Sequence, residues 1–331
     1  MTQPTLDIVA IGKAIVDVLA SAEDAQIAEL GLTKGGMQLV DAAGADALYS
    51  QMGSAIEASG GSAANTIAGM AALGQKCGFI GQIADDQFGR VFAHDIKALG
   101  VEFNTPPREA EPPTGQCLIF VSPDGQRTMN TFLGAAQYLG TASLDRAMIE
   151  SAAILYLEGY LWNADASRAA MAQAIEIAHQ AGRKVAFTLS EIFVILGHGA
   201  EFRTMMARGD IDILFANEGE ITTLMGTEDF EAAVAAASAM VPTLVVTRGE
   251  HGAIAVQDGV TTRVKAQPIE LVVDTTGAGD LFAAGFLAGQ AQGRSVEASL
   301  TMGAICAAEV ISHVGPRPAA DLKALVAAQL N

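Results

Sequence analysis

The strongest constraint on the fold is a repeating order of short apolar runs and longer helix-type runs, many of them closed by glycine. The first block predicts a strand at 6–12, a helix at 62–74 with Ser62 at its cap, a strand at 76–84 and a helix at 86–99. A strand–helix–strand order is typical of parallel sheets covered by helices. The pattern therefore predicts the α/β class.

The same order returns in the second half of the chain. Strands are predicted at 152–159, 184–190, 212–217 and 242–249, a hairpin at 252–266, and helices at 167–182, 280–292 and 295–310. No repeat or long linker divides the two halves. We therefore expect a single domain over residues 1–331, built on a central, mostly parallel sheet flanked by helices.

One region interrupts this order. A proline-rich stretch at 106–115 leads into a hairpin pattern at 116–132, whose turn is Pro123-Asp124-Gly125. Short strand-like segments also occur near the start of the chain. We expect segments at about 13–20, 34–42 and 101–132 to form a small β-sheet lid inserted in the main domain.

Charge and composition exclude several classes of function. The formal net charge of −18 argues against non-specific nucleic-acid binding, which needs a basic surface. The three cysteines are far apart and show no zinc or disulfide spacing. No basic leader and no apolar run of membrane length occur. We expect a soluble, cytoplasmic protein with no membrane or nucleic-acid partner.

Polar and glycine-rich segments follow the predicted strands, at the edge where α/β sheets bind ligands. These segments are GKAIVD (12–17), ASGGSAAN (58–65), ANEGE (216–220), TRGEHG (247–252) and DTTGAGD (274–280), the last read as following the final strand. No P-loop, GxGxxG or HExxH motif is present. A site at this edge therefore needs a different phosphate-binding or catalytic motif.

DTTGAGD offers such a motif, with two interpretations. Glycines before a helix can turn backbone N–H groups towards an anion, and Asp280 at the helix start could then accept a proton from an attacking hydroxyl. Asp280 could instead simply cap the helix, a common role worth about 1 kcal/mol. Taken alone, the motif favours capping.

The other segments are equally open when taken singly. Gly60, Gly61 and Asn65 could approach a polar ligand or allow tight helix–sheet packing. Asp17 is either a loop acid or an acceptor for two sugar hydroxyls. ANEGE is a polar loop or a site for hydrated Mg²⁺, and TRGEHG a turn or a nucleotide loop.

Together these motifs resemble the ribokinase-like (PfkB) family of carbohydrate and nucleoside kinases, over nearly the full length. DTTGAGDLFAAGF is similar to the family's C-terminal signature, GGSAANTIAGMAALG to its N-terminal signature, and NEGE to its NxxE motif. GGMQLVD (35–41) and RTMNTFLGAA (127–136) look most like the adenosine-kinase-like branch. The resemblance implies ATP-dependent phosphorylation of a primary hydroxyl.

The resemblance also implies roles for single residues. Asp280 would be the catalytic base, and the anion hole would be formed by the amides of Gly277, Ala278 and Gly279. The acceptor would be bound by Asp17, Gly60, Gly61 and Asn65, with Gly36, Met37 and Arg127 reaching in from the lid. The ATP pocket would be lined by Thr247, Arg248, Gly249 and Gly252, and Mg²⁺ would be organised through water by Asn217 and Glu220. Many members also carry a monovalent cation such as K⁺ beside the anion hole. Asp274 and Thr276 match two of its ligand positions, and Val310, His313 and Gly315 are further candidates through their backbone.

The acceptor itself stays open at this point. A nucleoside, adenosine first, is favoured over a free sugar such as ribose or fructose. A non-catalytic binding protein on the same fold ranks lower, because the base and the anion hole are both present. Lys13 departs from the asparagine frequent in the nucleoside branch. Monomer and homodimer are both compatible with the family.

Overall fold

The computed structural model describes residues 3–330. Its strands are β1 Leu6–Ile11, β2 Ile15–Ser21, β3 Met37–Leu39, β4 Ala55–Gly60, β5 Cys77–Ile80, β6 Glu102–Phe103, β7 Gly115–Val121, β8 Arg127–Phe132, β9 Ala152–Glu158, β10 Lys184–Thr188, β11 Ile213–Asn217, β12 Thr243–Thr247, β13 Ala253–Gln257 and β14 Val260–Val264. Its α-helices are α1 Asp24–Glu29, α2 Ala42–Tyr49, α3 Ser62–Ala72, α4 Gln87–Ala98, α5 Arg146–Ser151, α6 Asp165–Gln180, α7 Ile192–Arg208, α8 Glu218–Met225, α9 Phe230–Ser238, α10 Ala278–Ala291, α11 Val296–Val310 and α12 Leu322–Leu330.

Nine strands form the large sheet, in the order β14-β13-β12-β11-β10-β9-β1-β5-β6. The strands from β12 to β6 are parallel, and only the β12–β13–β14 edge is antiparallel. Alternate residues of one strand reach opposite faces: Leu244 and Val246 lie in one apolar core and Val245 in the other. Helices cover both faces, so the predicted α/β class is confirmed.

The small sheet holds five strands, in the order β3-β8-β7-β2-β4. Its β7–β8 hairpin turns through residues 122–126, as predicted. Strand β4 was not predicted, because the glycines and serine at its end look like a loop in the sequence. Residues 102–103, placed in the predicted lid segment 101–132, pair instead with β5 of the large sheet, where Phe103 is buried against Phe79.

Most predicted helices and strands are present, with ends shifted by a few residues. Seven helices were not predicted: α1, α2, α5, α7, α8, α9 and α12. DTTGAGD does not follow a strand directly: β14 ends at Val264, and an irregular segment leads from there to α10. Leu271 and Val272 in that segment are largely exposed, so their apolar side chains do not mark a buried strand. Within residues 3–330, no helix combines the length and apolarity needed to cross a bilayer.

Helices α10 and α11 pack closely against each other at a glycine of α10. A Cβ atom on Gly285 would lie 2.5 Å from the Met302 carbonyl oxygen and 2.6 Å from the Gly303 nitrogen. Backbone atoms cannot give way as a side-chain end can, so the distance between these helices depends on the absence of a side chain at Gly285.

Replacing Gly285 with alanine should therefore lower the free energy of unfolding by about 1–3 kcal/mol, as overpacked cores do. Gly197 is the matched control, because a Cβ there meets no atom within 4 Å in the middle of α7. Gly197→Ala should raise stability by roughly 0.5–1 kcal/mol, the ordinary gain in a helix. Urea denaturation of both variants tests this, and equal stability of Gly285→Ala and wild type would contradict the packing argument.

Candidate active site

A cavity of about 610 Å³ lies between the carboxyl ends of the parallel strands and the small sheet. This volume falls in the range of small-molecule sites. The large-sheet side contributes Asn65 and Asp280, and the small sheet contributes Asp17 and Met129. Predicted site residues in its wall are Asp17, Met37, Gly61, Asn65, Asn217, Glu220, Thr247, Thr276, Gly277, Ala278, Gly279 and Asp280.

The Asp280 carboxylate is held by two side chains of α3. Ser62 Oγ donates to Oδ1 at 2.6 Å, and Asn65 Nδ2 donates to Oδ2 at 2.9 Å. Asp280 is the third residue of α10, whose N-cap is Gly277, so it does not cap the helix. Of the two interpretations of this residue, capping is wrong.

Ser62 was expected to cap α3, and this expectation is also wrong. Gly61 holds the cap position with φ of 102°, and a Cβ atom there would lie 2.2 Å from the Lys13 carbonyl oxygen. Only glycine suits that position, so Ser62 becomes the first helical residue and its hydroxyl is available to Asp280. The ASGGSAAN motif contains Ser62, but the role of this serine depends on where α10 packs against α3.

Burial raises the pKa of Asp280, while the hydrogen bonds from Ser62 and Asn65 and the charge of Arg317 act in the opposite direction. A carboxylate with a raised pKa is a better proton acceptor than an exposed aspartate. Asn65 has a further unused group, since its Oδ1 is buried and has no partner within the described chain. Ser62 and Asn65 therefore orient the Asp280 carboxylate, and Asn65 Oδ1 can in addition accept a hydrogen bond.

The start of α10 presents backbone N–H groups beside Asp280. Gly277 is left-handed, with φ of 78°, and its Cβ position is blocked by Pro316 at 2.8 Å. Ala278 N–H already donates to Thr275 at 3.2 Å, whereas those of Gly277 and Gly279 make no hydrogen bond within residues 3–330. Free N–H groups at the start of a helix attract anions.

Asp17 faces Asp280 from β2 of the small sheet. A Cβ atom on Gly60, in the adjacent β4, would lie 2.4–2.6 Å from the Asp17 carboxylate. Gly60 therefore supports Asp17 from behind and does not line the cavity. Burial raises the pKa of Asp17 to about 6, although the nearby charges of Arg317 and Arg127 lower it.

Two charged residues near the site were missed by sequence reasoning. Arg317 lies in the loop after α11 and donates to the Ser59 and Ala64 carbonyl oxygens at 2.7 Å each. Burial lowers its pKa to about 10, against the opposing charges of Asp17 and Asp280. No sequence pattern marks Arg317, because only the return of the chain after α11 brings it to β4 and α3.

Glu158, by contrast, had a sequence signal. It ends the buried strand β9, at the ligand-binding edge of the sheet, and is fully buried. Its carboxylate accepts hydrogen bonds from the Lys13 and Ala63 N–H groups at 2.8 Å each. Burial raises the pKa of Glu158 to about 7. This residue fixes the chain where β1 passes into the small sheet.

Asn217 and Glu220 form a capping box at the start of α8. Glu220 accepts from Asn217 N and Nδ2, while Asn217 Oδ1 accepts from Glu220 N. Burial raises the pKa of Glu220 to about 7. Because both its oxygens are engaged in the cap, this carboxylate suits contact with a metal through water better than direct ligation.

The predicted nucleotide loop is only partly in the cavity wall. Thr247 lines it, but Arg248 pairs with Glu218 at 2.9 Å and lies over the Phe230 ring. Gly249 and Gly252 form the turn between β12 and β13 outside that wall. Their part in binding a nucleotide stays a prediction.

Several other predicted residues lie outside the cavity wall. Gly36 accepts a backbone hydrogen bond from Met129 in the small sheet. Arg127 does not reach into the cavity, because it pairs with Asp274 at 2.8 Å. His313 contacts Glu309 and Val314, and Val310 is buried at the end of α11.

The sheet order, the glycine-lined start of α10 and the carboxylate beside it are those of a small-molecule phosphotransferase. A sequence model described as pfkB family carbohydrate kinase matches residues 8–322. The chain therefore belongs to the pfkB family of carbohydrate kinases and is an ATP-dependent kinase.

Known relatives agree with this assignment. The structure of adenosine kinase from Sinorhizobium meliloti is 44% identical, with a TM-score of 0.91, covering 98% of this chain and 99% of that one. A probable sugar kinase from Rhizobium etli CFN 42 is 43% identical, with a TM-score of 0.92 and coverage of 98% and 99%. Fructokinase of Klebsiella pneumoniae is 30% identical over 74% of this chain and 81% of its own length.

Asp17 should show a conflict between stability and binding. Its folded-state pKa of about 6 exceeds the ordinary value of 3.8, so its protonated form stabilises the fold at low pH and this contribution is lost as pH rises through 6. Asp17→Asn should therefore raise the free energy of unfolding by about 1–2 kcal/mol at pH 8 and by little at pH 4.

The same variant should bind the acceptor more weakly. Asp46→Asn is the control, because Asp46 is exposed on α2 and should leave both properties unchanged. Chemical denaturation at the two pH values, with acceptor titration by calorimetry, measures both effects. A stability gain independent of pH would show that burial of the Asp17 charge is not its source.

Proposed function

We propose that the protein transfers the γ-phosphoryl group of ATP to the primary hydroxyl of a nucleoside or sugar, with the 5′-hydroxyl of adenosine as the preferred acceptor. The observation that carries the proposal is the Asp280 carboxylate, oriented by Ser62 and Asn65, beside the free N–H groups of Gly277 and Gly279. A proton acceptor and an anion site are thus adjacent in one cavity.

In the proposed reaction, the acceptor hydroxyl gives its proton to Asp280 as its oxygen forms a bond to the γ-phosphorus. The bond from that phosphorus to the ADP oxygen breaks, and ADP leaves. The N–H groups of Gly277 and Gly279 stabilise charge on the phosphoryl oxygens. Asp17, across the cavity, holds the neighbouring sugar hydroxyls and so fixes the distance of the attacking oxygen.

Mg²⁺ bound with ATP would neutralise part of the phosphate charge. Asn217 and Glu220 are the residues proposed to contact it through water, and their capping-box geometry agrees with that indirect role. The small sheet covers the acceptor side of the cavity with Met37, Leu39 and Met129. Met37 and Leu39 are exposed side chains, and packing of the acceptor on them would keep away water, which would otherwise compete as phosphoryl acceptor.

Two observations favour adenosine. The Sinorhizobium meliloti adenosine kinase is 44% identical over nearly the whole chain. The cavity also has apolar walls next to Asp17, as a nucleobase attached to a ribose requires. The fructokinase relative, at 30% identity, supports a free sugar as the second candidate.

A panel of acceptors distinguishes these candidates. With Mg²⁺ and ATP, kcat/KM measured by ADP release should be at least about tenfold higher for adenosine than for ribose or fructose, because only adenosine fills the apolar part of the cavity. A preference for fructose or ribose would establish the sugar-kinase alternative. Binding of adenosine without ADP release would instead point to a non-catalytic binding protein.

The base is tested by Asp280→Asn. This variant keeps the size of the side chain but cannot accept the proton, so kcat should fall by about 10³-fold while acceptor affinity changes little. Ser62→Ala removes only one orienting hydrogen bond and should cost roughly tenfold. Steady-state kinetics and calorimetry measure both variants, and near-normal turnover in Asp280→Asn would rule out this mechanism.

A further inference from the structure

The Asp274 carboxylate is the fixed point of the loop that leads to α10. Its Oδ1 accepts a hydrogen bond from Thr276 N–H at 3.0 Å, and its Oδ2 accepts one from Gly315 N–H at 2.9 Å. The side chain is almost fully buried. Asp274 therefore ties the loop before Gly277 to the turn after α11, and the position of the free N–H groups depends on this contact.

A buried carboxylate needs a compensating positive charge, and here Arg127 supplies it. Arg127 Nη2 lies 2.8 Å from Asp274 Oδ2, and both side chains are 5% exposed. The three guanidinium nitrogens of Arg127 make no well-aligned hydrogen bond within residues 3–330. The attraction between the Arg127 guanidinium and the nearby Asp274 carboxylate, more than directed hydrogen bonds, therefore holds the guanidinium in this position.

The Asp274 carboxylate, the one charged group among the residues expected to bind a monovalent cation, does not suit one in this arrangement. At Asp274, a cation would meet the Arg127 charge and two N–H groups that point their positive ends at the same carboxylate. The site expected for K⁺ thus already contains a permanent cation of the chain itself.

We propose that the Arg127 guanidinium takes the place of a monovalent cation at Asp274, so that this kinase does not need K⁺ to keep its anion-binding loop in position. Arg127 opens β8 of the small sheet, whereas Asp274 precedes α10. The ion pair therefore also ties the small sheet to the catalytic loop, which a free ion would not do. The inference rests on the kinase activity, but not on the choice of acceptor.

The first test compares turnover in KCl, NaCl and choline chloride at equal ionic strength. Wild-type kcat should agree within about twofold in the three salts. Arg127→Met leaves the Asp274 carboxylate without its partner, so its turnover should be low in choline chloride and rise at least about fivefold in KCl. The double variant Arg127→Met/Asp274→Asn has no free carboxylate and should not respond to K⁺.

Thermal unfolding gives a readout that needs neither acceptor nor activity. KCl, relative to choline chloride, should raise the Tm of Arg127→Met but not that of wild type or the double variant, because an ion that binds only the folded state stabilises it. Arg263→Met is the matched control: its ion pair with Glu231 is exposed on β14, so it should show no K⁺ response in either measurement.

Several-fold activation of the wild-type enzyme by K⁺ would overturn the proposal. So would an Arg127→Met variant that shows no K⁺ response in turnover or in Tm. If Arg127→Met does not fold, Arg127→Gln provides the same test with a polar side chain of similar length. An inactive but folded wild type would refute the proposed function, while the Tm comparison would still decide the role of Arg127.

Discussion

The close approach of α3 and α10 is the contact on which the site depends. A Cβ atom on Gly69 of α3 would lie 2.6 Å from Leu281 Cδ1 and 2.7 Å from Ala284 Cβ of α10. Because Gly69 has no side chain, the two helices can pack closely along their apolar faces. Their polar starts then meet, and Ser62 and Asn65 come within hydrogen-bond distance of Asp280. The α3–α10 interface therefore provides both the helix packing and the hydrogen bonds that orient Asp280.

Several acidic side chains are buried at this site, and the surrounding residues stabilise their charged forms only in part. Burial raises the pKa values of Asp17, Glu158, Glu220 and Asp280. Arg317 offsets some of this effect on Asp17 and Asp280, because its guanidinium is fixed by the carbonyl groups of β4 and α3. Raised pKa values at one cavity are common in active sites, where stability is reduced in exchange for reactive groups.

The fold and much of the site follow from local patterns in the sequence. Apolar runs closed by glycine predict the parallel strands, and the polar segments near their ends predict Asp17, Asn65 and Asn217 as neighbours. Asp280 joins them, although the strand expected before DTTGAGD is not formed. What could not be predicted depends on contacts between distant segments. Arg127 was expected in the cavity and instead pairs with Asp274, and Arg317 carries no local signal at all. Helix α7, which was also not predicted, contains Gly197 and Gly199, residues that weaken a helix signal in the sequence.

The two sheets hold different parts of the site. Asp280 and the N–H groups of α10 belong with the large sheet, while Asp17, Met37, Leu39, Cys117, Met129 and Thr131 line the cavity from the small sheet. In the proposed function, the base and the anion site therefore lie on different segments of the chain from most of the side chains that would contact the acceptor. Mutations at Met37, Leu39 or Met129, which lie apart from the Arg127–Asp274 ion pair, should change which alcohol is accepted and leave the base and the anion site in place. This separation gives a physical reason why fructokinase and adenosine kinase both occur among the relatives of one chain.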